Sequence, residues 1–291
     1  MKILVTGGKG MLGRTLQRRL APQHELFVAD LPETDILQPA SLDAAFGAFR
    51  PDAAIHCAAM TKVDDCESNE ELAFRLNGMG SANVARACRD HGARLIAIST
   101  DYVFDGRRAE GDYAETDFPR PQTVYGKSKL AGERSALDIL PEATILRIAW
   151  LYGAGGPSFV HTMAKLGAQD GAPLKVVDDQ RGNPTSTVAV AGAVKFLMSH
   201  PKVRGIVHGT CEGVCSWYDL TCELFRLLGL TRAVTPCTTA EFPRPAPRPA
   251  NSALAKNVLH ALGFAMPDWH DALAAFVAEE FAAQTQGRDR A

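Results

Sequence analysis

The chain begins with Lys2-Ile-Leu-Val-Thr6, an apolar run rich in β-branched residues, which leads directly into Gly7-Gly-Lys-Gly-Met-Leu-Gly13 and a helical pattern up to Leu20. We predict a buried strand, a glycine-rich turn and a helix. Glycines at positions 7, 10 and 13 allow a tight turn and a close approach of the backbone to a pyrophosphate, which the helix N-terminus would face. A P-loop is excluded because no Gly-Lys-Ser/Thr closes the loop. The pattern therefore favours dinucleotide binding over a plain strand-to-helix turn.

Strand-like and helix-like segments alternate through the first half of the chain. We predict strands at 2–6, 25–29, 53–57, 94–99 and 143–148, and helices at 12–20, 41–49, 70–91 and 127–138. Regular alternation of this kind predicts an α/β fold with a doubly wound, Rossmann-like parallel sheet.

After residue 153 the alternation loosens and a smaller C-terminal lobe is expected. Helices predicted at 216–229 and 269–283 flank a segment, 235–249, that contains five prolines and cannot be regular helix. The flanking helices favour an ordered lobe over a disordered linker. We expect a dinucleotide-binding domain formed by 1–153 plus about 185–212, and a substrate-binding lobe formed by 154–184 plus 213–291.

Tyr125-Gly-Lys-Ser-Lys129 places a phenol and an ammonium group four residues apart, on one face of the predicted helix. A nearby cation favours the phenolate, so we expect Lys129 to lower the pKa of Tyr125 toward the working range of a proton-transfer group. Thr100 follows the predicted strand 94–99, where ligands of doubly wound sheets bind. Thr100 and Asp101 would either contact a substrate or merely cap a turn.

Composition excludes several classes of function. The 31 basic and 33 acidic residues leave a net charge of −2, which gives no indication of a nucleic-acid or polybasic membrane surface. No apolar run reaches the length of a membrane span, and the N-terminus does not resemble a signal peptide. Seven scattered cysteines without a C-x-x-C pair favour reduced thiols and the cytoplasm. The histidines show no ligand spacing, so we expect no metal site.

Together these features resemble the dTDP-4-dehydrorhamnose reductase family of the extended short-chain dehydrogenase/reductase superfamily. The narrower resemblance is carried by segments spread over nearly the whole chain: 52–64, 99–106, 125–133, 146–153, 178–185 and 247–252. It implies catalytic roles for Thr100, Tyr125 and Lys129. The residues expected to bind the cofactor are Gly7, Gly10, Met11, Leu12, Gly13, Asp30, Asp35, Ile36, Ala58, Ala59, Met60, Tyr125 and Lys129.

The cofactor is expected to be NADH or NADPH, with NADH slightly favoured. Asp30 ends the second predicted strand, where an acidic residue accepts hydrogen bonds from the adenosine ribose and repels a 2′-phosphate. A simple strand-end turn is the alternative explanation of Asp30. The resemblance also implies that Asn77 holds backbone close to the cofactor, although a solvated helix asparagine is an equally good interpretation.

The substrate is expected to be a nucleotide sugar bound by Thr100, Asp101, Trp150 and Arg248. Trp150 follows a strand end and either fills the core or offers a flat surface to a sugar. Arg248 supplies a planar fork suited to a pyrophosphate. Gln180 and Asn183 are weaker candidates for nucleotide contacts. Relatives that dimerise through magnesium carry a carboxylate just after the third glycine, and Arg14-Thr-Leu16 offers none here. Whether the chain forms a homodimer is left open by the sequence.

Three functions are compatible with these features. The resemblance favours NAD(P)H-dependent reduction of the C4 keto group of dTDP-4-dehydro-6-deoxy-L-mannose to dTDP-L-rhamnose, a precursor of cell-surface polysaccharides. A second candidate is another nucleotide-sugar reductase or epimerase. A third is a non-catalytic, NADP-binding regulatory subunit of S-adenosylmethionine synthesis.

Overall fold

A six-stranded parallel sheet forms the centre of the molecule in the computed structural model, which describes residues 1–281. The strands within these residues are β1 (Lys2–Thr6), β2 (Glu25–Ala29), β3 (Ala53–His56), β4 (Arg94–Thr100), β5 (Thr144–Ile148), β6 (Leu151–Tyr152), β7 (Leu174–Val177), β8 (Arg181–Gly182), β9 (Thr185–Ser186), β10 (Gly205–His208), β11 (Cys215–Ser216) and β12 (Val234–Cys237). The central sheet has the order β2-β1-β3-β4-β5-β10.

Helices cover both faces of this sheet. They are α1 (Met11–Leu20), α2 (Pro39–Phe49), α3 (Val63–Ser68), α4 (Glu70–Ala73), α5 (Gly80–Asp90), α6 (Val124–Ile139), α7 (Phe159–Gly167), α8 (Thr187–Ser199), α9 (Trp217–Leu228), α10 (Asn257–Ala261) and α11 (Trp269–Glu280). Side chains of β1 alternate between two cores because successive residues of a strand point to opposite faces. Ile3 and Val5 pack with Leu16 of α1, whereas Leu4 packs with Phe46 of α2. The predicted doubly wound α/β fold is confirmed.

The strand order reverses at β1, which lies between β2 and β3. All pairs in the central sheet are parallel, so the carboxyl ends of the strands meet at one edge. In such sheets a crevice opens at that edge where the order reverses, and ligands bind there. The glycine loop after β1 and the small residues after β3 therefore lie at the expected ligand crevice.

The C-terminal half contributes three small two-stranded sheets, which pair β6 with β9, β7 with β12 and β8 with β11. Helix α9 packs against α7 and α11 beside them. Two elements from residues 185–212 return to the main body: β10 extends the central sheet, and α8 packs on α1. The division into a dinucleotide-binding domain and a substrate-binding lobe stays a prediction.

The predicted strands of the first half agree with the structure to within one residue at each end. The predicted long helix 70–91 is wrong in detail, because a π-helical segment, Phe74–Met79, separates α4 from α5. Helix α11 begins where predicted and ends at Glu280, and the last two residues of the predicted 269–283 helix lie outside the described residues. No helix within residues 1–281 combines the length and apolarity needed to cross a membrane.

Candidate active site

A single large cleft of about 1630 Å³ runs from the glycine loop along the carboxyl edge of the sheet to the C-terminal elements. Its lining joins Gly7, the ends of β4 and β5, the first turns of α6, and Arg248 of the proline-rich segment. Among the predicted site residues, Met60 and the weaker candidate Asn183 do not line it. The structure therefore brings the predicted cofactor, catalytic and substrate residues to one continuous surface, and their binding roles stay predictions.

The glycine loop is shaped as a dinucleotide site requires. Gly7 has φ +65°, and a Cβ at this position would stand 2.6 Å from the backbone nitrogen of Ala58. A Cβ at Gly13 would collide with the carbonyl oxygen of Gly7. Helix α1 has no side-chain N-cap and begins immediately after Gly10, so its first amides are free of side-chain partners in the described structure. These residues fit the pyrophosphate of a nicotinamide dinucleotide.

Asn77 is fully buried and fixes the backbone beside the cofactor crevice. Its Oδ1 accepts a hydrogen bond from the amide of Met60 at 2.8 Å, and its Nδ2 donates to the carbonyl of Met60 at 3.1 Å and to Ser128 Oγ at 2.9 Å. The interpretation of Asn77 as a solvated helix residue is therefore wrong. The side chain holds the backbone of Met60, directly after Ala58 and Ala59, and its role toward the cofactor stays a prediction.

Tyr125 and Lys129 lie on α6 because Thr123 caps that helix, its hydroxyl accepting a hydrogen bond from the amide of Gly126 at 3.0 Å. Tyr125 is 9% exposed and Lys129 is 6% exposed, and both line the cleft. Lys129 Nζ donates to the carbonyl of Ile98 at 2.8 Å, two residues before Thr100 on β4. The sheet and the helix therefore place Thr100, Tyr125 and Lys129 on the same wall.

The prediction that the pKa of Tyr125 lies toward the working range is wrong. Burial raises the pKa of Tyr125 above its usual range, and a hydrogen bond with Thr100 opposes this effect only in part. A phenol of this kind is protonated at neutral pH, the form that a general acid needs before it gives up a proton. Burial also lowers the pKa of Lys129 to about 8, against the opposing influence of Glu133 and Cys57.

Asp101 is a buried carboxyl group on the same wall of the cleft. Its Oδ1 accepts a hydrogen bond from Thr100 Oγ1 at 2.9 Å, while Oδ2 has no hydrogen-bond partner among the described residues. Burial raises the pKa of Asp101 to about 6, although the nearby hydroxyls of Ser252 and Thr100 act in the opposite direction. Thr100 also caps the turn at 101–103 by accepting from the amide of Tyr102, so it is both a turn cap and part of the cleft wall.

Asp30 is a turn residue at the edge of the cleft, and its role toward the adenosine ribose stays a prediction. One carboxylate oxygen accepts from the amide of Lys9 and the other from the amide of Leu31, each at 2.8 Å, which makes Asp30 a turn residue. Asp30 also lines the cleft. Glu33 lies close by and pairs with Lys9 Nζ at 3.2 Å. Two carboxylates, Asp30 and Glu33, therefore lie at the end of β2, and the nearby Lys9 is already paired with Glu33.

Trp150 stacks on Trp217 from α9, with ring centroids 3.5 Å apart and planes 4° from parallel. Trp150 has φ +46°, an unusual conformation for a bulky residue. Trp217 Nε1 donates to Gln180 Oε1 at 3.0 Å. One face of Trp150 is thus covered by Trp217, and the pair together forms a wall of the cleft.

Arg248 lines the cleft and forms an ion pair with Asp64, with Nη2 2.8 Å from Oδ2. Asp64 Oδ1 also accepts from the amide of Ala246 at 3.2 Å, and Arg248 Nη1 donates to the carbonyl of Ala246 at 3.0 Å. Burial acts to raise the pKa of Asp64, but hydrogen bonds from Arg248 and Ala246 outweigh it and leave the pKa below its usual range.

Sequence reasoning missed several residues of the cleft. Asp64 and Trp217 line it, and no motif marked their contacts with Arg248 and Trp150. Gln180 lines the cleft as proposed, but Asn183 does not. Asn183 is buried, donates to the carbonyl of Gly213 at 2.6 Å and accepts from the amide of Leu254 at 2.8 Å, so its amide is used in the fold.

The stretch after the third glycine makes both local and long-range contacts in the structure. Arg14 Nε donates to the carbonyl of Lys9 at 2.8 Å, and Thr15 Oγ1 donates to Thr187 Oγ1 at 2.9 Å. Residues 1–281 contain no group of three or more His, Cys, Asp or Glu side chains arranged to hold a metal ion. The seven cysteines, all within this range, are free thiols.

Comparison with known proteins settles the family. The family described as RmlD substrate binding domain matches residues 1–281. The chain belongs to the RmlD family. Its resemblance to the dTDP-4-dehydrorhamnose reductases is confirmed by a Streptomyces griseus protein of that name, which is 42% identical over 280 residues, covering 93% of this chain and 91% of the relative.

Two other members of the RmlD family are informative. A probable dTDP-4,6-dihydroxy-2-methyloxan-3-one 4-ketoreductase from Streptomyces antibioticus is 45% identical over 278 residues, covering 94% of this chain and 93% of the relative. The crystal structure of dTDP-4-dehydrorhamnose reductase from Bacillus anthracis in complex with NADP has a TM-score of 0.91 and 37% identity, and the match covers 96% of this chain and 99% of that one. A nicotinamide cofactor agrees with the glycine loop described above.

Proposed function

We propose that this protein is an NAD(P)H-dependent reductase that converts the C4 keto group of dTDP-4-dehydro-6-deoxy-L-mannose to the alcohol of dTDP-L-rhamnose. When bound in the crevice, the reduced nicotinamide supplies the hydride. Tyr125 gives its phenolic proton to the oxygen at C4, and Thr100 orients that oxygen. Lys129 binds the nicotinamide ribose and, one helical turn from Tyr125, supplies a positive charge that favours the phenolate left by proton transfer.

The observation that carries this proposal is that Thr100, Tyr125 and Lys129 are all buried and line the same wall of the cleft. Two hydroxyls on one buried wall can both reach one carbonyl oxygen. The protonated state of Tyr125 suits the direction of reduction, because the phenol must lose a proton during the reaction. The free cysteines suit a reducing compartment, and we propose the cytoplasm.

We propose NADH over NADPH as the preferred cofactor. Asp30 and Glu33 place carboxylates at the end of β2, where the adenosine ribose is expected. Lys9 is the nearby cation, and it already bonds to the carbonyl of Leu31 and to Glu33. A 2′-phosphate would meet two negative charges there without a free positive partner among these residues.

A second candidate is reduction of a different dTDP-4-keto sugar, which the 45% identity to the Streptomyces antibioticus ketoreductase favours. The wall formed by Trp150 and Trp217 would exclude or accept sugars by shape, and both candidates use the same catalytic wall. An epimerase would keep its cofactor bound and consume none. A regulatory subunit would bind cofactor without turnover.

The decisive experiment offers the purified chain a panel of dTDP-4-keto-6-deoxy sugars with NADH or NADPH, and follows loss of reduced nicotinamide and formation of the alcohol. Stoichiometric oxidation of the cofactor with dTDP-L-rhamnose as product supports the first candidate. Preferential turnover of another keto sugar supports the second. Sugar conversion without cofactor consumption, or cofactor binding without any turnover across the panel, contradicts both.

A further inference from the structure

Glu133 is a buried carboxylate that lies one helical turn beyond Lys129 on α6. Tyr125, Lys129 and Glu133 follow one another at intervals of four residues, so they share one face of the helix. Glu133 is only 4% exposed. Burying a charged carboxylate is costly unless it is paired, so its contacts show what it is paired with.

Two neighbouring strands hold the Glu133 carboxylate. Arg147 on β5 donates from Nε to Oε1 at 2.9 Å and from Nη2 to Oε2 at 2.7 Å, a bidentate arrangement. Ser99 on β4 donates to Oε1 at 2.5 Å. Ser99 directly follows Ile98, whose carbonyl accepts from Lys129 Nζ. Adjacent residues of β4 therefore bind Lys129 and Glu133.

Lys129 and Glu133 also face the same internal space. A cavity of about 10 Å³, the size of roughly one water molecule, is lined by both side chains together with Ser81 and Ser99. Lys129 therefore lines both spaces. Glu133 lines the internal cavity with it, and Tyr125 lines the cleft with it.

The other titratable groups around Lys129 supply no negative charge at neutral pH, apart from Asp101 near the end of β4. From the β3 side, burial lowers the pKa of His56 to about 3 and raises the pKa of Cys57 to about 12, so both are neutral. Tyr125 is protonated. On the far side of Glu133, the guanidinium of Arg147 adds a positive charge. Glu133 is the carboxylate whose charge favours the ammonium form of Lys129.

We propose that Glu133 is a positioning residue for the reduction: its carboxylate, clamped by Arg147 and Ser99, keeps the neighbouring Lys129 in its ammonium form. The inference rests on the proposed role of Lys129 in catalysis. Without the carboxylate, burial and the charge of Arg147 both favour the neutral amine of Lys129.

The charges of Glu133 and Arg147 predict opposite effects, and this separates an electrostatic role from a merely structural one. In the variant Glu133→Gln, the pH at which Lys129 loses its proton should fall by about one unit or more. In Arg147→Gln it should rise, because a repelling charge is removed and the carboxylate is no longer neutralised. Glu133→Asp keeps the charge and should restore most of the wild-type behaviour.

Two readouts on the full chain test this. Lysine labelled with ¹³C at Cε, with the Lys129 signal assigned by its loss in Lys129→Met, gives the titration of Lys129 directly by NMR. The pH dependence of kcat/KM with NADH gives its kinetic counterpart: the fall of activity at high pH should move to lower pH in Glu133→Gln and to higher pH in Arg147→Gln. Circular dichroism and thermal midpoints establish which variants are folded.

The titration distinguishes failure of the inference from failure of the proposed function. An unmoved Lys129 titration in folded Glu133→Gln, or shifts of the same sign in Glu133→Gln and Arg147→Gln, overturns the inference. If Glu133→Gln does not fold, an unmoved or lowered titration in Arg147→Gln overturns it equally. Shifts of opposite sign in the Lys129 titration support the inference. If the pH dependence of kcat/KM stays unchanged in variants whose Lys129 titration has moved, Lys129 has no part in the proposed reaction.

Discussion

Arg248 Nη2 lies 2.8 Å from Asp64 Oδ2, so an ion pair ties the proline-rich segment to helix α3 at the mouth of the cleft. Asp64 also accepts from the amide of Ala246, and this second bond fixes the backbone that carries Arg248. The guanidinium is therefore oriented before any ligand binds, which reduces the entropy that a phosphate contact would cost. It also means that a pyrophosphate must share Arg248 with Asp64.

Arg248 and Trp150 should act on different ends of the ligand. Arg248→Lys keeps the charge but loses the planar fork, so we expect weaker binding of both free dTDP and the dTDP-sugar, by roughly tenfold, about 1.4 kcal/mol. Trp150→Ala removes the stacked wall and should weaken the sugar substrate far more than dTDP alone. Isothermal titration with both ligands measures the difference.

Arg226→Lys is the matched control for Arg248, since Arg226 is exposed on α9 and pairs with Glu223. It should change neither affinity. Equal losses for dTDP and dTDP-sugar in both Arg248→Lys and Trp150→Ala would show that the two residues are assigned to the wrong ends of the ligand.

Tyr125→Phe should lower turnover by roughly 10²–10⁴-fold, the usual contribution of a general acid, and leave cofactor affinity nearly unchanged. Tyr218→Phe, on α9 and outside the cleft lining, is the control and should retain activity. Steady-state kinetics and cofactor titration check both variants. Wild-type turnover in Tyr125→Phe, with chemistry rate-limiting, would remove Tyr125 from the mechanism.

Asp30→Ala should narrow or reverse the preference for NADH, because it removes a carboxylate that repels a 2′-phosphate. The ratio of kcat/KM for NADH and NADPH is the measurement. Asp43→Ala removes an exposed carboxylate on α2 that pairs with His91 and should leave the ratio unchanged. An unaltered ratio in Asp30→Ala would leave Asp30 as a turn residue only.

Asp101 should make the folded state less stable as the pH rises from about 4 to 6. Burial raises the pKa of Asp101 from its usual 3.8 to about 6, so over this range the folded chain binds a proton that the unfolded chain has released. The free energy of unfolding of Asp101→Asn, relative to wild type, should therefore rise by up to about 3 kcal/mol across it. Urea unfolding at a series of pH values measures this.

Asp105→Asn is the control of opposite sign. A hydrogen bond from Tyr113 is the main cause of the lowered pKa of Asp105. The Asp105 carboxylate therefore stabilises the fold above about pH 4, and this stabilisation is lost as the pH falls through the folded-state pKa of Asp105. A difference between Asp101→Asn and wild type that does not change from pH 4 to 6 would show that Asp101 is charged in the fold.

The sequence was sufficient for the central sheet and for the glycine loop because both depend on local pattern. Runs of β-branched residues mark buried strands. The glycine at position 7 occupies a place where a Cβ would collide with the backbone of Ala58. The spacing of Tyr125 and Lys129 indicates the pair when it is taken together with the glycine loop and the hydroxyls after the predicted strand 94–99. The same spacing leads on to Glu133, so a signal for that residue was present in the sequence.

Contacts between distant segments could not be predicted. Nothing near Asn77 indicates that it will bind the backbone of Met60, and no breaking residue pattern marks where the π-helical segment begins. Trp217 follows a capped helix start, where Ser216 and Asp219 form a capping box, but the cap gives no information about Trp150. The raised pKa of Tyr125 could not be predicted for the same reason, because it is caused mainly by burial, which depends on residues distant in sequence.

The Trp150 and Trp217 stack gives the molecule a built-in optical reporter. The two indoles are nearly parallel with ring centroids 3.5 Å apart, so their electronic excitations should couple and give a paired signal in circular dichroism. One indole belongs to the end of the central sheet and the other to α9, so the signal reports the distance between these two parts of the chain. Trp269, the third tryptophan, stacks on His270 instead and provides an internal reference. A ligand that enters between the walls of the cleft can thus be followed without any label.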